Sequence, residues 1–75
     1  MFEDIKNKMV EVQNKFSSDY EIKRLCSNVL RIIAEFEYYI EKGEYSDKTH
    51  TFMSHYITAI TRLEKALKEM KYFIK

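Results

Sequence analysis

The residue types that carry chemistry are sparse in this chain of 75 residues: one cysteine, Cys26, and two histidines, His50 and His55. Cys26 stands beside Leu25 and Val29, the setting of a packed small hydrophobe rather than of an activated thiolate. The histidines are five residues apart, which on a helix puts them on opposite sides, facing solvent. With a single cysteine they fall short of a structural zinc set, and no internal disulfide can form. There is no Gly-rich phosphate loop, no H-E-x-x-H and no partner set for a nucleophilic Ser or Cys. The sequence therefore reads as a non-enzyme, without catalytic residues, metal ligands or cofactor. What remains is a shoulder arginine. In Thr58-Ala59-Ile60-Thr61-Arg62-Leu63-Glu64-Lys65-Ala66-Leu67, Arg62 falls at the edge of an apolar stripe centred on Leu63 and Met70. Thr58 lies on the same side one turn earlier. A long cationic side chain there reaches across a helix–helix contact. Its ordinary use is an ion pair with a neighbouring carboxylate.

The element that must position Arg62 is the C-terminal stretch from Ser46 to Lys75, which has no Gly and no Pro. Its apolar residues (Phe52, Tyr56, Ala59, Ile60, Leu63, Ala66, Leu67, Met70, Phe73 and Ile74) recur at helical spacing and predict one helix over 47–74. Ser46 or Asp47 is its expected N-cap. At about 1.5 Å per residue it runs roughly 40 Å and needs a partner along its length. An earlier helix is predicted over 19–42, announced by the capping-box pattern Ser18-Asp19-Tyr20-Glu21 and closed by Gly43, the only glycine. Its apolar band includes Leu30 and Ile32, well round from Val29 and Phe36, so it is expected to be sandwiched between several neighbours. The short connection after Gly43 predicts an antiparallel hairpin of these two helices. A first helix over 3–16 carries Phe2, Ile5, Met9, Val12 and Phe16 on a narrow stripe, with Asp4 and Lys15 suited to its dipole. The expectation is a single all-α domain over 1–75, a helical hairpin plus a shorter N-terminal helix.

Composition bounds the partners. Thirteen Lys and Arg stand against twelve Asp and Glu, interleaved, for a net charge of +1. That argues against binding of long nucleic acid, which takes a basic excess on one face, and leaves room for a small anion held by a few cations. No signal peptide, lipidation motif or transmembrane run is visible, so the reading is cytoplasmic with no membrane partner. A chain this short is marginally stable alone. Leu30, Ile32, Met53, Ile57 and Tyr72 lie off the hairpin seam, which points to a homo-oligomer larger than a dimer. Eleven aromatics exceed what a two-helix core needs.

The run Thr61 to Leu67, T-R-L-E-K-A-L, resembles the T-K-L-E-E-A segment of phage anti-CBASS sponges. These small helical-hairpin proteins assemble into oligomers and sequester the cyclic oligonucleotide messengers of bacterial antiphage defence. Ser54 to Ile60 precedes the run and Met70 to Ile74 follows it at similar spacing. Upstream, Tyr20-Glu21-Ile22-Lys23-Arg24 resembles the R-Y-x-x-I-R that opens the family's first long helix. The likeness spans Tyr20 to Ile74. The first segment departs from it: the family has a Pro-containing loop bearing an aromatic, whereas this chain has a helix and no proline. Phe16 and Tyr20 are the candidates to cover a base in its place.

The resemblance implies stoichiometric, non-catalytic binding of a cyclic di- or trinucleotide in the cytoplasm of an infected bacterium. Such a ligand needs Arg or Lys on phosphate and aromatic planes on bases. Arg62, Thr58 and Lys65 form one expected phosphate-facing group, and Tyr20, Lys23 and Arg24 another. A symmetric ligand would suit a symmetric oligomer that brings the same arginine from each protomer. Two other readings compete: a small inhibitor or immunity-type module that docks a helix face on a protein target, marked by an exposed apolar patch, and an oligomerising hairpin without ligand.

Overall fold

Three apolar stripes of helical period become three helices. The computed structural model describes residues 2–74 and, of Tyr45, the backbone alone. Met1 and Lys75, the ends of the expected domain, lie outside the described residues. Helix α1 is Glu3–Lys15, α2 is Tyr20–Glu41 and α3 is Thr49–Lys68, with a 3-10 turn, Tyr45–Asp47, between the last two. No strand occurs among the described residues.

Helix α2 begins one residue later than the capping-box pattern implies. Asp19, not Ser18, is the cap, and its carboxylate accepts from the Ile22 N–H at 3.1 Å. The shift follows from the preceding turn, where the Asp19 N–H donates to the Phe16 carbonyl at 2.9 Å and sets Asp19 in the extended conformation a cap requires. At the other end Gly43, at φ +74°, closes the helix: the Gly43 N–H donates to Ile40 and the Glu44 N–H to Tyr39. This double bond is the Schellman pattern.

Helix α3 departs more from expectation. Neither Ser46 nor Asp47 caps it. They form the 3-10 turn, and Lys48 takes the capping position with no side-chain bond. The helix also stops at Lys68 instead of running to 74. Lys71 adopts φ +58°, the Lys71 N–H donates to Lys68 at 2.9 Å and the Tyr72 N–H to Leu67 at 3.1 Å. That is a second Schellman closure, built on a lysine. The reason is tertiary: it turns Tyr72 back onto α1, edge-on to Phe16 with ring centroids 5.4 Å apart. Lys8 and Lys15 of α1 lie 5.5 and 5.8 Å from the same Tyr72 ring.

The core lies where the three stripes meet. Met9 and Val12 of α1, Cys26, Val29 and Ile33 of α2, and Leu63 and Leu67 of α3 are fully buried. Removing a side chain such as Leu63 from water stabilises by about 1.5–3 kcal/mol. Helices α1 and α3 both pack on α2, and no Cα of α1 comes within 8 Å of one in α3. Rings fill the space between them. Phe36 and Phe52 stack at 4.2 Å, and Phe2 leans on both at 6.3 and 5.4 Å. One part-buried ion pair also ties α1 to α2, Lys6 Nζ to Glu37 Oε2 at 2.9 Å.

This arrangement revises the reasoning for self-association. Of the five apolar residues expected off the seam, Ile32 is buried, while Leu30 and Tyr72 are partly buried against the core. Only Met53 and Ile57 stay exposed, at 45% and 56%. Ile32 faces α3, and Tyr72 is covered by Phe16. Phe16, a candidate base cover, is likewise packed on Tyr72 and belongs to the core edge.

Two stability measurements follow. An L-residue in the left-handed region costs about 1–2 kcal/mol, partly offset by the entropy glycine loses on folding. Lys71→Gly should therefore raise the urea midpoint by a stabilisation of about 0.5–1 kcal/mol. Gly43→Ala should lower it by about 1 kcal/mol through φ alone, since nothing lies within 4 Å of an added Cβ.

The second concerns Cys26, fully buried, whose thiol is pushed by burial from an ordinary 9.0 up to about 11. The unfolded chain then gives up this proton at lower pH than the folded one. This contribution to stability is constant below pH 9 and falls between pH 9 and about 11, by ~1.4 kcal/mol per unit at most. Cys26→Ala should flatten that fall in urea titrations at pH 8, 9 and 10. A native thiol that reacts with a maleimide at pH 8 as fast as the urea-unfolded chain would contradict the burial.

Candidate functional site

Arg62 is held by its neighbours in sequence. Leu63 is fully buried and Ala59 nearly so, which fixes the rotation of α3 and leaves residue 62 at the rim of the contact with α2. There it lines two open grooves along the α2–α3 seam. One, about 360 Å³, is also lined by Leu25, Asn28, Arg31, Ile32, His55 and Thr58. The other, about 370 Å³, is lined by Glu21, Arg24, Lys65 and Glu69 above Leu25 and Ala66. Both share Leu25 and Arg62, so Arg62 stands between them.

The two grooves together carry four cations, Arg24, Arg31, Arg62 and Lys65, and two carboxylates, Glu21 and Glu69. Arg24 is engaged by Glu21 at 2.7 Å, and this hydrogen bond raises its already high pKa. Arg31 is engaged by Glu35 at 2.9 Å. Among the described residues, Arg62 and Lys65 have no ion pair. The ordinary reading of a shoulder arginine, a local pair with a carboxylate, is thus not the arrangement found. Both pairs that do exist are exposed and intrahelical, of a kind that contributes little to stability.

The expected site residues regroup. Arg62, Lys65 and Arg24 come together across the seam. Thr58 lines the groove, but its hydroxyl donates to the Ser54 carbonyl at 3.0 Å. Its single proton is committed within the helix, so it is left with acceptor capacity only. Tyr20 and Lys23 line neither groove. Tyr20 is 78% exposed at the start of α2. Lys23 lies on the flank facing α1, where its carbonyl accepts from Gln13 Nε2 at 3.3 Å, beside the Gln13 to Ser27 bond at 3.0 Å. The group Tyr20, Lys23 and Arg24 is therefore split: Lys23 is rotated about 100° from Arg24, Tyr20 shares the face of Arg24 but lies one turn beyond the groove, and only Arg24 lines it with Arg62.

Arg31, Asn28 and His55 were not anticipated. A signal for Arg31 was present: Arg24 and Arg31 are seven residues apart and share a helix face. Only the pairing of α2 with α3 says that this face looks onto Arg62. His50 and His55 are both exposed. No group of His, Cys, Asp and Glu that could hold a metal ion occurs among the described residues, and no helix there is long and apolar enough to cross a membrane. No protein-family model, curated protein or solved structure matches the chain.

Because Arg62 makes no ion pair among the described residues and is exposed at the rim of the seam, Arg62→Ala should leave the stability within about 0.5 kcal/mol of wild type. The adjacent Leu63→Ala should cost about 2–5 kcal/mol. Denaturant melts of the two variants side by side check this, and comparable losses would mean that Arg62 is a structural residue.

Proposed function

We propose that the chain is a non-catalytic binder that sequesters a small, multiply phosphorylated ligand, of the cyclic di- or trinucleotide class, along the α2–α3 seam. The observation that carries this reading is Arg62, unpaired among the described residues and flanked across the seam by Arg24 and Arg31. A guanidinium presents a planar fork of donors that matches phosphate. An arginine without a carboxylate is available for that use at no cost of breaking a pair. The local cation excess sits on a chain of net charge only +1, which suits a compact anion rather than a long polyanion.

The ligand class and its setting come from the resemblance of Thr61 to Leu67 to the anti-CBASS sponges. On that reading the protein acts in the cytoplasm of an infected bacterium and blunts a CBASS-type defence. Helices α2 and α3 run as an antiparallel hairpin, and the chain assembles into a homo-oligomer. The exposed apolar residues Met53, Ile57 and Phe73 offer the surface for assembly. Ile57 is five residues from Arg62, roughly 140° round the helix. Assembly through it would leave the seam open, so each protomer would carry its own ligand groove. The same apolar residues also favour a second reading, a module that docks α3 on a protein target.

The test is calorimetric titration of wild type and Arg62→Ala with a panel of cyclic di- and trinucleotides, alongside light scattering. A charge-assisted hydrogen bond to phosphate contributes roughly 1.5–3 kcal/mol, so the substitution should weaken binding about 10- to 150-fold while the fold persists. Wild type that binds no member of the panel, or Arg62→Ala of unchanged affinity, would refute the proposal. Light scattering that gives a monomer at micromolar concentration would remove the oligomer.

A further inference from the structure

A smaller cavity, about 200 Å³, lies at the end of the seam where α2 meets the turn into α3. Its apolar wall is Ile32 with the stacked rings of Phe36 and Phe52, and Tyr39 borders it under Lys48, whose Nζ sits 5.0 Å from the ring centroid. The polar rim is Glu35, Asp47, Thr51 and His55. Ile32 and His55 are common to this cavity and to the groove that holds Arg31 and Arg62. The Arg31 to Glu35 pair straddles the boundary, with Arg31 on the groove and Glu35 on the cavity.

The size and lining restrict what fits. Pockets for whole drug-sized ligands run to about 300–1,000 Å³, so this one takes a single flat ring system. Aromatic walls favour a heteroaromatic plane. Glu35 is already engaged by Arg31, whereas Asp47 is exposed and has no ion pair among the described residues. A carboxylate offers acceptors only. Guanine presents two adjacent donors, its N1–H and N2 amino group, along one edge. Adenine and cytosine set an acceptor nitrogen beside their amino group, and against a carboxylate that nitrogen has no partner.

We infer that this cavity is a guanine subsite of the same ligand, with the Asp47 carboxylate accepting from the base edge and the seam arginines holding the adjoining phosphate. The inference rests on the phosphate-binding role proposed for Arg62, and it adds a base preference that the role alone does not imply. His55 and Arg62 are two helical turns apart, about 10.5 Å of rise. One ligand bound along α3 therefore meets the base site and the phosphate site in succession.

The experiment titrates the full chain calorimetrically with cyclic di-GMP and cyclic di-AMP, and follows the backbone amides of Thr51, Phe52 and His55 by NMR as guanosine or adenosine is added. A site that hydrogen-bonds one base and leaves a polar group unpaired against another discriminates strongly, so cyclic di-GMP should bind about tenfold tighter or better. Asp47→Asn, which offers a donor beside an acceptor and so gives adenine's ring nitrogen a partner, should reduce that preference to about threefold or less, with cyclic di-GMP bound more weakly and cyclic di-AMP at least as tightly as by wild type. Arg62→Ala should weaken both ligands alike and keep the preference. Equal affinity for the two ligands, or a preference that survives Asp47→Asn, overturns the guanine assignment while the phosphate role of Arg62 stands. Guanosine shifts at the three amides without binding of either cyclic ligand would support the base subsite and reject the phosphate reading. Absence of guanosine shifts together with equal cyclic-ligand affinities would reject the subsite.

Discussion

The structure depends on burying α2 from two sides at once. Its fully buried residues, Ile22, Cys26, Val29 and Ile33, define one line, and Leu25, Ile32 and Phe36 widen it towards α3. A band that broad cannot be covered by a single partner helix, because one helix–helix contact shields only a stripe. Helix α1 takes one flank and α3 the other, and the rings of Phe2, Phe52 and Tyr56 fill the wedge between them. The surplus of aromatics is thus absorbed by the geometry of a three-helix bundle whose outer helices stand apart.

The ends of the bundle follow from the same demand. Once α3 has buried Leu63 and Leu67, further helix would carry Tyr72 away from α1. Turning at Lys71 instead sets Tyr72 against Phe16, with the ammonium groups of Lys8 and Lys15 at 5.5 and 5.8 Å from its ring centroid. The left-handed lysine is the local strain, and the ring contact with two nearby cations is what opposes it. Phe73, beyond the turn, is left 64% exposed, with Met70 at 44%. An apolar surface at this end is therefore a consequence of how the chain closes.

The polar groups are pushed to the rims. No polar or charged residue is buried among those described, so charge gathers along the edges of the α2–α3 contact, where long stems cover apolar atoms and the heads reach solvent. Arginines of both helices meet there because residues 24 and 31 on α2 and 62 on α3 each flank a buried neighbour, Leu25, Ile32 and Leu63. Two of the three are engaged by carboxylates of their own helix and the third is not. That asymmetry gives the seam its unbalanced charge.

The sequence by itself determined the all-helical class, the three stripes and the wide band of α2, because periodicity 3.6 is written into the order of apolar residues and survives any packing. It also determined the position of Arg62 on a shoulder, since Leu63 beside it had to point inward. It did not determine the last turn of α3: nothing in Lys68 to Ile74 breaks a helix, and the stop comes from Tyr72 finding Phe16, 56 residues away in the chain. The shift of the α2 cap from Ser18 to Asp19 was beyond it too, because it depends on how the chain leaves α1. Nor could it separate Lys23 from Arg24. Adjacent residues on a helix lie about 100° apart, and only the placement of α1 and α3 decides that one faces Gln13 and the other Arg62. The cavity beside Tyr39 was equally illegible, since Glu35 and Asp47 come to line one space only when the turn Tyr45–Asp47 packs on α2.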